Sequence, residues 1–171
     1  MKIFMGIDQS FTNSGIVIMD ESGDVKYFTT IKTKKDVDGD IFDRAITISS
    51  NLIEVIQKYD PTTLSLEGLA FSKFGNATRD LAGLQAVIIT RIRNETKYGS
   101  RLLIVSPNLL KKFATEKGGA SKQDMVDFLP KNVLESFAEA KFKKTTGLYD
   151  LADAYHLAKY SLAHNQKTTQ K

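Results

Sequence analysis

The chain has 171 residues, 42% of them hydrophobic and 26% charged, and a net charge of +4. That length bounds it to one domain with at most a short appendage, and the composition excludes disordered and fibrous classes. No apolar run reaches the roughly 18 residues of a membrane span, and with no cysteine there is neither a disulfide framework nor a thiolate site.

Ile3–Ile7 is a short apolar run and Gly15–Met19 a second, separated by a polar turn. After a further turn at Glu21–Asp24, Val25–Ile31 alternates, so three consecutive antiparallel strands open the chain. Between 40 and 58, Ile41, Ala45, Ile48, Leu52 and Ile56 recur near helical spacing, with Pro61 beyond the end. Thr62–Leu66 reads as a strand running into Glu67. Residues 77–95 read as a helix with Leu81, Leu84, Val87, Ile88 and Ile92 on one stripe, which either packs on its own sheet or serves a dimer interface. Arg101–Val105 is a fifth strand. Ser106-Pro107 then sets a capping serine before a proline at the first helical position. Gly118-Gly119 breaks that helix, and Ser121–Asp124 opens another with capping-box spacing. A last helix runs from about Tyr149 to Ala163, leaving 165–171 as a polar tail expected to fray. The order β-β-β-α-β-α-β-α-α-α predicts an α/β fold: a mixed five-stranded sheet, three antiparallel strands then parallel ones, flanked by helices in a single domain over 1–164.

Four acids stand out. Asp8 ends the first strand and Glu67 the fourth, and the carboxyl ends of parallel strands are where ligands bind in open α/β sheets. Asp150 and Asp153, at i and i+3, share one face of the last helix. An acid between Leu66 and Leu69 sits where an apolar residue would be cheaper. Taken singly, a strand-end aspartate is a turn residue and Asp150 a helix cap. Taken together, four converging carboxylates repel unless cations neutralise them, and a pair of magnesium ions about 4 Å apart is the usual solution. Two histidines leave oxygen as the ligand, favouring magnesium, manganese or calcium.

Charge is unevenly spread. Residues 1–90 carry 9 basic against 12 acidic side chains, and residues 91–122 carry 8 against 2. The basic block suits a phosphate-bearing partner or, equally, a solvated surface.

Gly6-Ile7-Asp8-Gln9-Ser10 with Thr12 and Gly15, then Leu66-Glu67, then Asp150-Leu151-Ala152-Asp153-Ala154 resemble the RuvC-type Holliday junction resolvases. Ser106-Pro107 through Lys111-Lys112, followed by Lys117-Gly118-Gly119-Ala120-Ser121-Lys122, is similar to that family's proline-started helix, glycine break and lysine. The resemblance runs from residue 3 to about 163. It implies the ribonuclease H-like fold and a homodimer that nicks two strands symmetrically across a four-way DNA junction, leaving 5′-phosphate and 3′-hydroxyl ends, with forks as further substrates. It also implies that Asp8, Glu67, Asp150 and Asp153 hold two Mg2+ ions, with Mn2+ able to substitute. Lys111 and Lys122 match lysines near the scissile backbone, Lys122 as a transition-state stabiliser. Gln9 departs from the family, whose bacterial members commonly carry proline there. A phage-borne relative fits this variation, and a cytoplasmic location is expected, in a bacterium or a phage host.

Lys111, Lys112, Lys117 and Lys122 are the expected DNA contacts, since they flank a glycine break where backbone amides can approach phosphate. Arg91, Arg93, Lys97 and Arg101 share the block but not one helix face. Phe71 and Phe74, with Lys73 between them, read either as an aromatic wedge for unpaired bases or as core phenylalanines. His156, one turn beyond Asp153, touches the metal site or packs inside. Two alternatives compete: an actin-like or sugar-kinase-like ATP-binding protein, because residues 8–15 also resemble those proteins' first phosphate loop, and a non-catalytic junction-binding protein.

Overall fold

The computed structural model of the chain describes residues 1–69, 75–99 and 102–169. Strands β1 (Ile3–Asp8), β2 (Asn13–Asp20) and β3 (Val25–Lys32) form an antiparallel meander. Helix α1 (Ile41–Tyr59) then leads to β4 (Thr63–Glu67), and α2 (Asn76–Glu95) to β5 (Leu102–Val105). The sheet order is β3-β2-β1-β4-β5, with β4 parallel to both β1 and β5. Helices α3 (Pro107–Thr115), α4 (Lys122–Asp127), α5 (Lys131–Glu139) and α6 (Leu148–Thr169) follow.

Local chemistry sets the helix starts, at α3 and α4 as expected. Asp40 and Asp43 form a capping box at α1, the Ser106 hydroxyl accepts from the Leu109 amide at α3, and Ser121 pairs reciprocally with Asp124 at α4. Two expectations need correction. Among the described residues four helices rather than three follow β5, because Pro130 starts α5, whose Val133 and Phe137 are buried. And α6 does not stop near Ala163: no glycine or proline interrupts it, so residues 165–169 continue the helix. The expected contribution of Arg101 to the fifth strand lies outside the described residues.

Alternation along the strands gives the sheet two apolar faces. Met5, Ile7, Ile16, Ile18, Leu64 and Leu66 pack against Ile48, Leu52 and Ile56 of α1 and Leu84, Ile88 and Ile92 of α2. The stripe on α2 is therefore used on its own sheet. Phe4, Val17, Met19 and Val105 face the other way, against Leu151, Tyr155 and Leu157 of α6 and Phe137 of α5.

The first half of α6 is buried because it crosses this second face directly. The crossing is close at Gly6, where a Cβ would collide with the Ala154 carbonyl oxygen and the Ala158 amide. The Ser161 hydroxyl bonds to Ser65 Oγ at 2.6 Å and donates to the Met5 carbonyl at 3.2 Å, fixing the helix over β1 and β4. Among the described residues no helix is long and apolar enough to cross a membrane.

Candidate active site

Strand parity aims the two strand-end acids at the same helix. Phe4 packs on the α6 side and Gly6 meets α6, so Asp8, two residues further, faces it too. On β4, Ser65 bonds to α6 and Glu67 follows in the same parity. The parallel register pairs Ile7 with Leu66, which sets Asp8 beside Glu67; the antiparallel register pairs Asp8 with Gly15. At Gly15 the place of a side chain is taken by the Asp150 backbone. The start of α6 is thereby seated next to Asp8, and one turn of helix carries Asp153 to the same region.

The electrostatics record that gathering. Asp8 is 7% exposed and its carboxyl is held well above the usual carboxylate range, first by burial and then by the charges of Glu67, Asp153 and Asp150. Burial also raises Glu67, against the lowering effects of its hydrogen bond with Asp8 and of Lys111 and Lys122. Asp153 is pushed up to about 7, chiefly by burial and then by Glu67, with Lys122 and Lys111 opposing. The contact between the two raises Asp8 and lowers Glu67, because two buried neighbouring carboxylates resist being charged together.

Among the described residues no three acid or histidine side chains are drawn into a group that would hold an ion. The cavity of about 420 Å³ between β3 and α1, and that of about 440 Å³ between α1 and α2, contain none of the four acids. Asp8 and Glu67 act on each other directly, with Asp150 and Asp153 in electrostatic reach. The chemistry of the site still fits a hard divalent cation. Every donor is oxygen, and a cation would relieve the repulsion among the gathered carboxylates.

Lysines complete the setting. Lys111 of α3 and Lys122 at the start of α4 both act on Glu67 and Asp153. The ammonium of Lys122 lies 5.9 Å from the centre of the Tyr149 ring, next to Asp150. Lys112 and Lys117 are exposed and are not among the charges raising or lowering the acids; Lys117 acts on Asp124 instead. Arg91 bonds to Glu95, Ser49 and Ser50, and Lys97 to Asp60, so these two members of the basic block are engaged within the chain. Phe71, Lys73 and Phe74 lie outside the described residues.

His156 is buried, with Nε2 bonded to the Met125 carbonyl at 2.8 Å, and burial depresses it to about 4. It is a packed imidazole whose burial favours the neutral form.

Sequence reasoning missed several neighbours of the site. The Asn13 amide donates to the Asp150 carboxylate. Gln9 and Gln85 both donate to the Glu67 main-chain carbonyl, at 3.1 and 2.9 Å. Arg44 of α1 donates to the Phe11 carbonyl at 2.7 Å and stacks over its ring, holding the loop after Asp8. Parity with Gly15 was a signal for Asn13; a glutamine on the edge of the α2 stripe carried none.

A model of the family described as crossover junction endodeoxyribonuclease RuvC matches residues 4–158. No curated protein matches the chain. Among solved structures, Thermus thermophilus RuvC is similar with a TM-score of 0.69 at 17% identity, over 98% of this chain and 96% of that one. T. thermophilus RuvC in complex with Holliday junction substrate gives 0.71 at 16% identity, over 99% and 96%. The fowlpox virus resolvase in complex with substrate Holliday junction DNA gives 0.56 at 18% identity, over 95% and 98%. At these identities the structures share the fold with this chain.

Proposed function

The chain belongs to the RuvC family of crossover junction endodeoxyribonucleases, and from that premise we propose that it resolves four-way DNA junctions as a homodimer, nicking one strand at each of two symmetric sites. Membership over residues 4–158 sets aside the ATP-binding reading of the 8–15 loop. The family's chemistry is divalent-metal dependent. Asp8, Glu67, Asp150 and Asp153 are the residues that would hold the metal, two ions per site, with Mg2+ preferred and Mn2+ able to replace it. Such ions, when bound, activate water and offset the charge on the leaving oxygen. The observation that supports this reading most is the strand register, which seats Asp8 beside Glu67 and both beneath the start of α6.

The side chains divide the work. Burial raises both Asp8 and Glu67, and a cation held by them would favour their charged forms instead. Asn13 holds one oxygen of Asp150, leaving its other oxygen to turn toward the centre. Lys122, held against Tyr149, carries a positive charge beside the phosphate undergoing attack. Lys111 supports it from α3, while Lys112 and Lys117 meet phosphates further along the duplex. Water attacks phosphorus in line, the bond to the 3′ oxygen breaks, and the products are a 5′-phosphate and a 3′-hydroxyl.

Incubating the protein with an end-labelled four-way junction, first in EDTA and then with Mg2+, tests the proposal. Binding in both and paired nicks only with Mg2+ are expected. Binding with no cleavage in Mg2+ or Mn2+ would favour a non-catalytic junction binder.

A further inference from the structure

The β1–β4 ladder ends at the Ile7–Leu66 pair, one residue short of Glu67. The Glu67 carbonyl therefore leaves the sheet with no strand partner on the β1 side, while the N–H of the same peptide, that of Gly68, donates to the Val105 carbonyl at 2.7 Å. Two side-chain amides close on this one oxygen. Gln9 Nε2 reaches it from the residue after Asp8 at 3.1 Å, and Gln85 Nε2 from α2 on the opposite face of the sheet at 2.9 Å.

Gln9 is 4% exposed, and its own Oε1 is buried with no partner among the described residues. A buried acceptor left unpaired costs free energy that an apolar side chain of the same shape would not incur. A residue kept only for packing has no reason to bear that cost. The cost is explained if the donor end of Gln9 is needed at Glu67.

We infer that Gln9 and Gln85 are positioning residues: a two-amide clamp on the Glu67 carbonyl that fixes its peptide and so aims its carboxylate at the metal. The inference rests on Glu67 being a metal ligand. With its N–H tied to Val105 and both lone pairs of its carbonyl engaged by the two amides, the peptide between Glu67 and Gly68 is held on both edges, and the carboxylate on the adjoining Cα is positioned with it. The clamp also ties Glu67 to the residue that follows Asp8, so the two acids are held in register beyond the end of the ladder. Through Gln85 it joins the acid to α2 as well.

The test is Mn2+ titrated into DNA-free, metal-free protein, with free Mn2+ read by electron paramagnetic resonance. Gln9→Met and Gln85→Met each keep side-chain length and remove one donor. Each is expected to weaken Mn2+ binding about three- to tenfold, the measure of one hydrogen bond. Gln9→Met should do so with a melting temperature equal to or above that of the parent, because the unpaired acceptor goes with it; a packing role would give a lower melting temperature and unchanged Mn2+ affinity. Should Gln85→Met not fold, Gln9→Met decides alone, since it acts on the same oxygen. Glu67→Gln is the reference. If it abolishes tight Mn2+ binding while Gln9→Met and, where folded, Gln85→Met bind like the parent, the clamp is wrong and Glu67 remains a ligand. If Glu67→Gln itself binds Mn2+ like the parent, the ligand reading and the clamp both fall.

Discussion

Burial and the charges of Glu67, Asp153 and Asp150 raise Asp8, so the fold favours the neutral form of its carboxyl. Asp8→Asn supplies that neutrality permanently. It is expected to leave the melting temperature in EDTA unchanged or raised and junction binding intact, while cleavage falls by a factor on the order of 10³ or more for loss of a metal-binding oxygen. A labelled junction, gel retardation and a melting curve measure all three. Asp153 allows a pH test. In the unfolded chain it releases its proton near its ordinary 3.8, whereas the native state keeps it to about 7. Between those values the native state binds more protons than the unfolded one, so rising pH destabilises the fold until about 7. His156 works in the opposite sense: depressed to about 4, it adds stability above its ordinary 6.5 that is lost as pH falls through that interval. Comparison with Asp153→Asn isolates the acid. The variant should gain on the parent from pH 5 to 7.5 in EDTA, and saturating Mn2+ should cancel the gain by stabilising only the parent. The four acids themselves were legible in the chain because ionisable groups at strand ends and at i, i+3 are visible in one dimension. Asn13, Gln9 and Gln85 were not, because neutral amides act here through main-chain and side-chain partners as many as 137 residues away.

Helix α6 reaches the acids because two glycines let it lie against the strands. A methyl group at Gly6 would fall on the Ala154 carbonyl oxygen and the Ala158 amide, and within 2.8 Å of Leu157 Cβ, so the helix has to lift. Gly6→Ala is expected to cost about 1–3 kcal/mol of stability, as overpacking generally does. It should also reduce cleavage more than binding, since Asp150 and Asp153 move with the helix. Gly83 provides the contrast. It sits inside α2 with nothing within 4 Å of a built Cβ, so Gly83→Ala should stabilise by about 0.5–1 kcal/mol through helix propensity and leave cleavage alone. Chemical denaturation of the two variants gives both signs. At this scale the strands and most helices could be read from periodicity and caps, whereas α5 and the end of α6 could not. Nine residues with Val133 and Phe137 as the buried anchors give α5 little pattern, and α6 passes from a segment buried on most sides to a polar one without any stop signal.

Across the molecule the basic residues fall into three environments, and DNA binding should separate them. Arg91 and Lys97 are paired with Glu95 and Asp60, so their charge is partly offset within the chain. Lys111 and Lys122 sit in the field of the buried acids, where they counter the repulsion that burial intensifies. Lys112, in the last turn of α3, and Lys117, just before the Gly118-Gly119 turn, are exposed. Counterion release makes junction affinity fall with salt in proportion to the phosphates contacted, about 0.9 in log–log slope per contact. Lys112→Ala and Lys117→Ala should each lower that slope by roughly 1 and weaken binding at low salt, with the cleavage rate at saturating protein unchanged. Lys122→Ala should do the reverse: near-parental binding in EDTA, with single-turnover cleavage reduced by about 10²–10³, the scale of removing one donor to developing charge. Arg91→Ala should change neither quantity and only lower the melting temperature, because its partners are the α1 serines and Glu95. Salt-dependent binding isotherms set beside single-turnover rates distinguish the three groups. A uniform loss of affinity across all of them would mean that net charge alone, rather than its placement around the acids, guides the junction to the site.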